Sequence, residues 1–232
     1  MRQPTESTAA SPDAAVRERY GAAAWEREPA LCCPVDYEPR YLAIIPEAVL
    51  ERDYGCGDPS RYVLPGDTVL DLGSGGGKIC FIAAQKVGPT GSVIGIDMNE
   101  EMLALARGAA PRVSERIGYA NVAFRRGRIQ DLALDPDRLD AWLRVHPVRD
   151  SGDWEAARTT AERLRREQPL VPVASVDLVV SNCVLNLVRP VDRQQMIHEI
   201  HRVLRPGGRI ALSDIVSDEP VPADLREDPE LW

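Results

Sequence analysis

The short apolar run Thr68–Leu72 stops at Gly73-Ser74-Gly75-Gly76-Gly77, and the helical periodicity of Lys78–Val87 begins at once. Strand, glycine turn and helix in that order open a crossover of a parallel α/β sheet. Glycines there let the main chain turn sharply and let a ligand approach the backbone closely. Open α/β sheets bind ligands outside the carboxyl ends of their strands, which is where this turn falls. Asp97 ends the next apolar run, 92–96, about 20 residues further on, a spacing that places an acid for paired ribose hydroxyls.

A nicotinamide dinucleotide uses a similar turn, but its fingerprint G-x-G-x-x-G requires Gly or Ala at position 78. That position is Lys78. The spacing is instead Asp71-x-Gly73-x-Gly75-x-Gly77.

The remaining pattern repeats strand and helix. Asn99-Glu100-Glu101 caps a helix carrying Met102, Leu103 and Ala106, and 121–124 and 176–180 read as strands. A helix over 191–204 turns Ile197, Ile200 and Leu204 inward, and Pro206-Gly207-Gly208 turns into a last strand, 209–215. The fold class is therefore α/β, a doubly wound Rossmann-like parallel sheet with right-handed crossovers. Between the third and fourth strands, 137–145 and 153–167 both read as helices, separated by His146-Pro147, where a minimal domain would have one helix. Upstream, Ser11-Pro12-Asp13 starts a helix reaching Glu28, and a second helix over 46–53 ends at Gly55-Cys56-Gly57. We divide the chain into a loose tail, 1–12, and a single domain, 13–232. That domain includes an N-terminal helical and cysteine-loop segment, 13–65, and a helical insertion, 134–173.

Charge narrows the partners. With 36 acidic against 28 basic side chains the net charge is −8, which gives no general attraction for phosphate backbones. The basic cluster Arg125, Arg126 and Arg128 carries no interleaved aromatics and reads as a solvated loop, so no nucleic-acid partner is expected. No apolar run is long enough to span a bilayer and Met1 to Asp13 lack a secretory pattern, so no membrane partner and a cytoplasmic location are expected. The five cysteines, Cys32, Cys33, Cys56, Cys80 and Cys183, form no C-x-x-C pair, which removes zinc-knuckle and thioredoxin-like readings. In a reducing compartment they are thiols, free to ligate or to pack as small apolar groups.

The combination of Asp71, the three spaced glycines, Asp97 and the later Leu204-Arg205-Pro206-Gly207-Gly208 resembles class I S-adenosylmethionine-dependent methyltransferases, over Gly66 to Ile215. The resemblance implies S-adenosylmethionine as cofactor, with Gly73, Ser74, Gly75 and Gly77 beside its methionine and ribose. It also implies that Asp71 orients the methionine ammonium and that Asp97 holds the ribose hydroxyls. Met98, Ile129 and Gln130 would flank the adenine.

What receives the methyl group has to be read after the fourth strand. Enzymes acting on nucleic-acid amino groups usually carry Asn/Asp-Pro-Pro-aromatic there, and this chain has Ser181-Asn182-Cys183-Val184-Leu185-Asn186. No residue set marks a general base for an oxygen acceptor. His198 and His201, at i and i+3 on a helix, read as solvated or packing residues. Leu31-Cys32-Cys33, Tyr54-Gly55-Cys56-Gly57, the glycine turn, Ile94–Met98, Ser181–Leu187, and Ser213-Asp214-Ile215 with Val221-Pro222 together resemble arsenite methyltransferases.

That resemblance implies trivalent arsenic held by Cys33, Cys56 and Cys183, with Cys32 as stand-in for Cys33. Tyr54 and Asn182 would line the cofactor side, Cys80 would be a core residue, and a thiol reductant such as glutathione or thioredoxin would take part in detoxification. Soft metalloids prefer thiolate ligands. An arsenic lone pair can take a methyl group with no proton removed first, consistent with the absent base. Family members continue into a further cysteine, a helix and an antiparallel strand pair, whereas this sequence stops at Trp232, so the last strand is expected at an exposed edge. Two alternatives remain: a methyltransferase for another small-molecule or selenium acceptor, and a metalloid- or cofactor-binding module that turns nothing over.

Overall fold

The computed structural model describes residues 35–219, with Gly21 and Pro222 as isolated positions outside that span. The helix expected over 11–28, and Cys32 and Cys33, lie outside the described residues.

Five strands form one parallel sheet: β1 (Thr68–Leu72), β2 (Ser92–Asp97), β3 (Val122–Arg126), β4 (Val176–Asn182) and β5 (Leu204–Ser213), in the order β3-β2-β1-β4-β5. Direction reverses at β1, where β2 lies on one side and β4 on the other, so the carboxyl ends of β1 and β4 bound a crevice at the switch point. The near-continuous apolar composition of β1 and β4 follows from burial on both faces.

Side-chain alternation divides β1 between two cores. Val69 joins a cluster with Ile79, Cys80, Ile82 and Leu103 on one face, while Leu70 and Leu72 join Ile96, Leu132, Met196 and Ile200 on the other. By the same alternation Asp71 shares the face of Val69. Its carboxyl is thereby buried among apolar neighbours, beneath the helix that carries Cys80.

Before the sheet come two single-turn helices, α1 (Pro39–Leu42) and α2 (Glu47–Leu50), and a 3-10 turn, Pro59–Tyr62. The helix expected over 46–53 is shorter because Pro46 is its N-cap and the chain leaves it after Leu50, sending Asp53 to Lys78. α3 (Lys78–Val87) and α4 (Glu100–Ile117) follow β1 and β2, and α4 is capped by the Asn99 side chain accepting from the Met102 amide at 2.9 Å.

The insertion forms α5 (Pro136–Val145) and α6 (Ser151–Glu167), two helices as the sequence indicated. α6 buries Ala157, Thr160, Ala161 and Leu164, an i, i+3, i+4, i+7 stripe. Arg165 fixes it to Asp131 through a forked pair, Nη2 donating to Oδ2 at 2.8 Å and Nε to Oδ1 at 3.2 Å. The expected solvated basic loop is instead the end of β3. Arg126 pairs with Asp140, with Asp137 at 2.8 Å and with Glu100 at 3.2 Å, and Arg125 donates to the Leu170 carbonyl at 2.7 Å.

α7 (Pro190–Val203) buries Ile200 as the sequence reading expected, but Met196 and Val203 accompany it inward and Ile197 is about half exposed. β5 already starts at Leu204, which pairs with Val176. Residues 205–208, expected as a turn, are absorbed into the strand by a register shift between Val176 and Leu178, with Gly207 left-handed at φ 79°. Among the described residues β5 pairs with β4 alone, and no helix is long and apolar enough to cross a membrane.

Candidate methyl-transfer site

A cleft opens above the carboxyl ends of β1, β2 and β4. Its walls include Asp53, Tyr54, Asp71, Gly73, Ser74, Gly75, Asp97, Met98, Ile129, Gln130, Asn182 and Cys183. Counted together with the solvent at its open mouth, its empty space is about 1160 Å³. All but one of the cofactor residues read from sequence therefore surround one space. The exception is Gly77, which faces inward: a Cβ there would lie 2.7 Å from the Phe124 ring, and its φ of 91° starts α3 in the left-handed region. Its absence of a side chain serves packing and the turn.

Three polar features of the cleft suit a nucleoside sulfonium. Asp97 is tethered by amides on both oxygens, Gly75 to one and Asn99 to the other, each at 2.8 Å, which fixes its carboxylate at the end of β2. Enclosure raises its pKa above the ordinary value. Asp71 is pushed up to about 7 by burial, with Asp97 and Asp53 adding to the rise, while the Cys80 thiol, 3.2 Å away, opposes it. Ser74 Oγ is buried with no hydrogen-bond partner among the described residues. A ligand bringing hydroxyls and positive charge would satisfy all three. Nothing in the cleft conflicts with S-adenosylmethionine.

On the β4 side, Cys56 and Cys183 meet. They are joined as a disulfide with Cα atoms 5.8 Å apart, although 127 residues separate them in sequence. The expectation of free thiols at these positions gives way to a pair close enough to bond. Cys183 stands on the cleft wall with a left-handed backbone, φ 58°, unusual for a residue with a side chain. Cys80 is buried in the core, matching its sequence reading, and burial pushes its thiol well above the ordinary pKa.

Asn182 holds this arrangement. Its Oδ1 accepts from the amides of Cys56 and Gly57, each at 3.0 Å, and its Nδ2 donates to the Gly57 carbonyl at 2.8 Å. Sequence reading placed Asn182 on the cofactor. It does line the cleft, but its amide is engaged by the cysteine loop. Lys78, Asp53 and Ser213 were missed, since their role arises from contacts across 25 to 157 residues. Among the described residues no group of three His, Cys, Asp or Glu side chains could hold a metal ion.

Comparison with known proteins agrees with this geometry. The family profile described as a methyltransferase domain matches residues 64–168 and 160–232. An arsenite methyltransferase of Aquipseudomonas alcaligenes is 36% identical over 206 residues, covering 87% of this chain and 49% of that protein. One of Halobacterium salinarum is 39% identical, covering 76% and 34%, and one of Homo sapiens 33%, covering 82% and 42%. The chain thus spans about half or less of the length of these curated relatives. Among solved structures, an arsenic(III) S-adenosylmethionine methyltransferase from Chlamydomonas reinhardtii aligns with TM-score 0.63 and 31% identity, over 86% of this chain and 55% of that one. The chain belongs to the methyltransferase-domain family, with relatives among the arsenite methyltransferases.

Proposed function

We propose that the chain transfers a methyl group from S-adenosylmethionine to trivalent arsenic, as arsenite or methylarsenite, held by the thiolates of Cys56 and Cys183 with Cys33 or Cys32 as a further ligand. The observation that carries this reading is the meeting of Cys56 with Cys183, which lines the cleft together with Gly73, Ser74 and Gly75. Asp97 would hold the ribose hydroxyls, Asp71 would face the methionine ammonium, and Met98, Ile129 and Gln130 would flank the adenine. When bound, the cofactor supplies an electrophilic sulfonium methyl that a lone pair can take without a base. The protein's share is then to position two reactants in a partly closed site.

Because the two cysteines are joined as a disulfide, a thiol reductant such as glutathione or thioredoxin would have to open it before arsenic could bind, which suits a reducing compartment such as the cytoplasm. The test is mass spectrometry of products from arsenite, S-adenosylmethionine and a thiol. Methylated arsenic is expected from the unaltered chain and none from Cys56→Ser or Cys183→Ser, both still binding the cofactor. Full activity in either variant would refute thiolate ligation. Arsenite binding without methylated product would leave only a binding module, and product from selenite alone would move the substrate elsewhere.

A further inference from the structure

Lys78 is the residue whose identity broke the dinucleotide fingerprint, and the proposed chemistry gives it no task. It opens α3 directly after the glycine turn, and its side chain is 9% exposed. A lysine so enclosed needs a partner. Its Nζ pairs with the Asp53 carboxylate, 18% exposed, and sits 3.9 Å from the centre of the Tyr37 ring. The Tyr37 hydroxyl in turn donates to the Gly57 carbonyl at 2.7 Å. Asp53 and Gly57 bracket Tyr54-Gly55-Cys56, so one ammonium is connected to both ends of the loop that carries a site thiol.

We propose that Lys78 is a positioning residue: through Asp53 and Tyr37 it ties the cysteine loop to the cofactor turn, so that Cys56 is held opposite Cys183 at the edge of the cleft. The tie complements the Asn182 staple, which holds the same loop to β4 and shares the Gly57 carbonyl with Tyr37. The ion pair and the cation–π contact suit this role because both are largely shielded from water, where such contacts are strongest. Burial, then the nearby Asp53 and Asp58 carboxylates, push the Tyr37 hydroxyl well above its ordinary pKa, so it remains a donor across the working pH range. The catalytic consequence rests on the arsenic reading above. The geometric claim does not.

The experiment measures how strongly the two thiols are held together, without arsenic. The full chain is equilibrated with reduced and oxidised glutathione, and the Cys56–Cys183 pair is quantified by alkylation and mass spectrometry. The readout is an effective concentration. Lys78→Met and Asp53→Asn should each lower it by about tenfold, equivalent to ~1.4 kcal/mol. Lys78→Arg should stay within about threefold of the parent because it keeps the charge. Lys78→Met with Asp53→Asn should lie closer to the parent than Lys78→Met alone, since no unpaired carboxylate is then left enclosed.

Effective concentrations within about twofold of the parent in both single variants would overturn the proposal, even with a lowered Tm, and would reduce Lys78 to a support for α3. Should Lys78→Met fail to fold, Asp53→Asn and Lys78→Arg decide the matter by the same readout. If the unaltered chain methylates no arsenic yet these shifts occur, the substrate reading fails and the positioning role stands.

Discussion

The Asn182 side chain and the Gly57 backbone close a two-bond ring, Oδ1 accepting from the amide at 3.0 Å and Nδ2 donating to the carbonyl at 2.8 Å. A side-chain amide here does what a neighbouring strand would do, and it docks a loop onto the carboxyl end of β4. Asn182→Ala would leave the half-buried Cys56 and Gly57 amides without this partner, at about 1 kcal/mol each, the low end of the cost of an unpaired buried donor. We expect a lower Tm and at least a tenfold slower methyl transfer, as each ~1.4 kcal/mol of lost positioning is worth that factor. Differential scanning fluorimetry and single-turnover assays check the two effects separately.

Gly57 also faces Ser213 at the end of β5, where a Cβ would fall 1.9 Å from Ser213 Oγ and 2.7 Å from its Cβ. Gly57→Ala should destabilise by ~1–3 kcal/mol, as overpacking usually does. Adding Ser213→Gly removes both clashing atoms and should restore most of the loss in denaturant unfolding. A double variant no more stable than Gly57→Ala would show that the loop is constrained elsewhere.

How far a sequence discloses such a site depends on the range of the interactions. β1, the glycine turn, α3 and Asp97 were legible because strand alternation, positive-φ glycines and helix periodicity are local. The convergence of Cys56 and Cys183 was anticipated through family resemblance, while the Asn182 staple and the Lys78–Asp53 pair were not, because no periodicity encodes contacts across 125 and 25 residues. Ile197 was misplaced for a related reason: Met196 and Ile197 are adjacent apolar residues, either of which can face inward beside Ile200, and the cluster that joins Met196 with Leu70 selects one.

Asp71 predicts a pH dependence with a definite sign. Its carboxyl is raised to about 7, so the folded protein holds the proton that the unfolded chain releases near 4. The stability contributed by the protonated form is fully present below about pH 4 and is lost as pH rises through 7. Asp71→Asn should therefore gain stability relative to the parent between pH 5 and 8. In the proposed complex the ligand's positive charge favours the carboxylate, so S-adenosylmethionine should bind more tightly as pH rises to about 7, with proton release visible by calorimetry in buffers of different ionisation enthalpy. Cys80→Ala removes the bond that lowers the Asp71 pKa and should move this profile upward. An affinity that does not change with pH would separate Asp71 from the ligand.

Cys183 holds a left-handed backbone, which costs a residue with a Cβ ~1–2 kcal/mol. Cys183→Gly and Cys183→Ala both remove the thiol, but only glycine relaxes the strain, less ~0.4–1 kcal/mol of added unfolded-chain entropy. The glycine variant should be more stable than the alanine variant by up to ~1 kcal/mol in reducing buffer, with both inactive toward arsenite. Equal urea midpoints would mean that the backbone relaxes when the thiol is removed.

β1 and β4 are hydrogen-bonded neighbours although Leu72 and Ser181, which pair across them, are separated by the whole of α3, β2, α4, β3 and the two-helix insertion. During synthesis a ribosome must therefore release more than a hundred residues beyond the glycine turn before the crevice acquires its second wall. Pairings of such long range are slow to form. A nascent chain arrested within the insertion would have the glycine turn but no partner for Cys56, so protease protection of the turn and of the cysteine loop should appear together, late, and only after β4 has emerged.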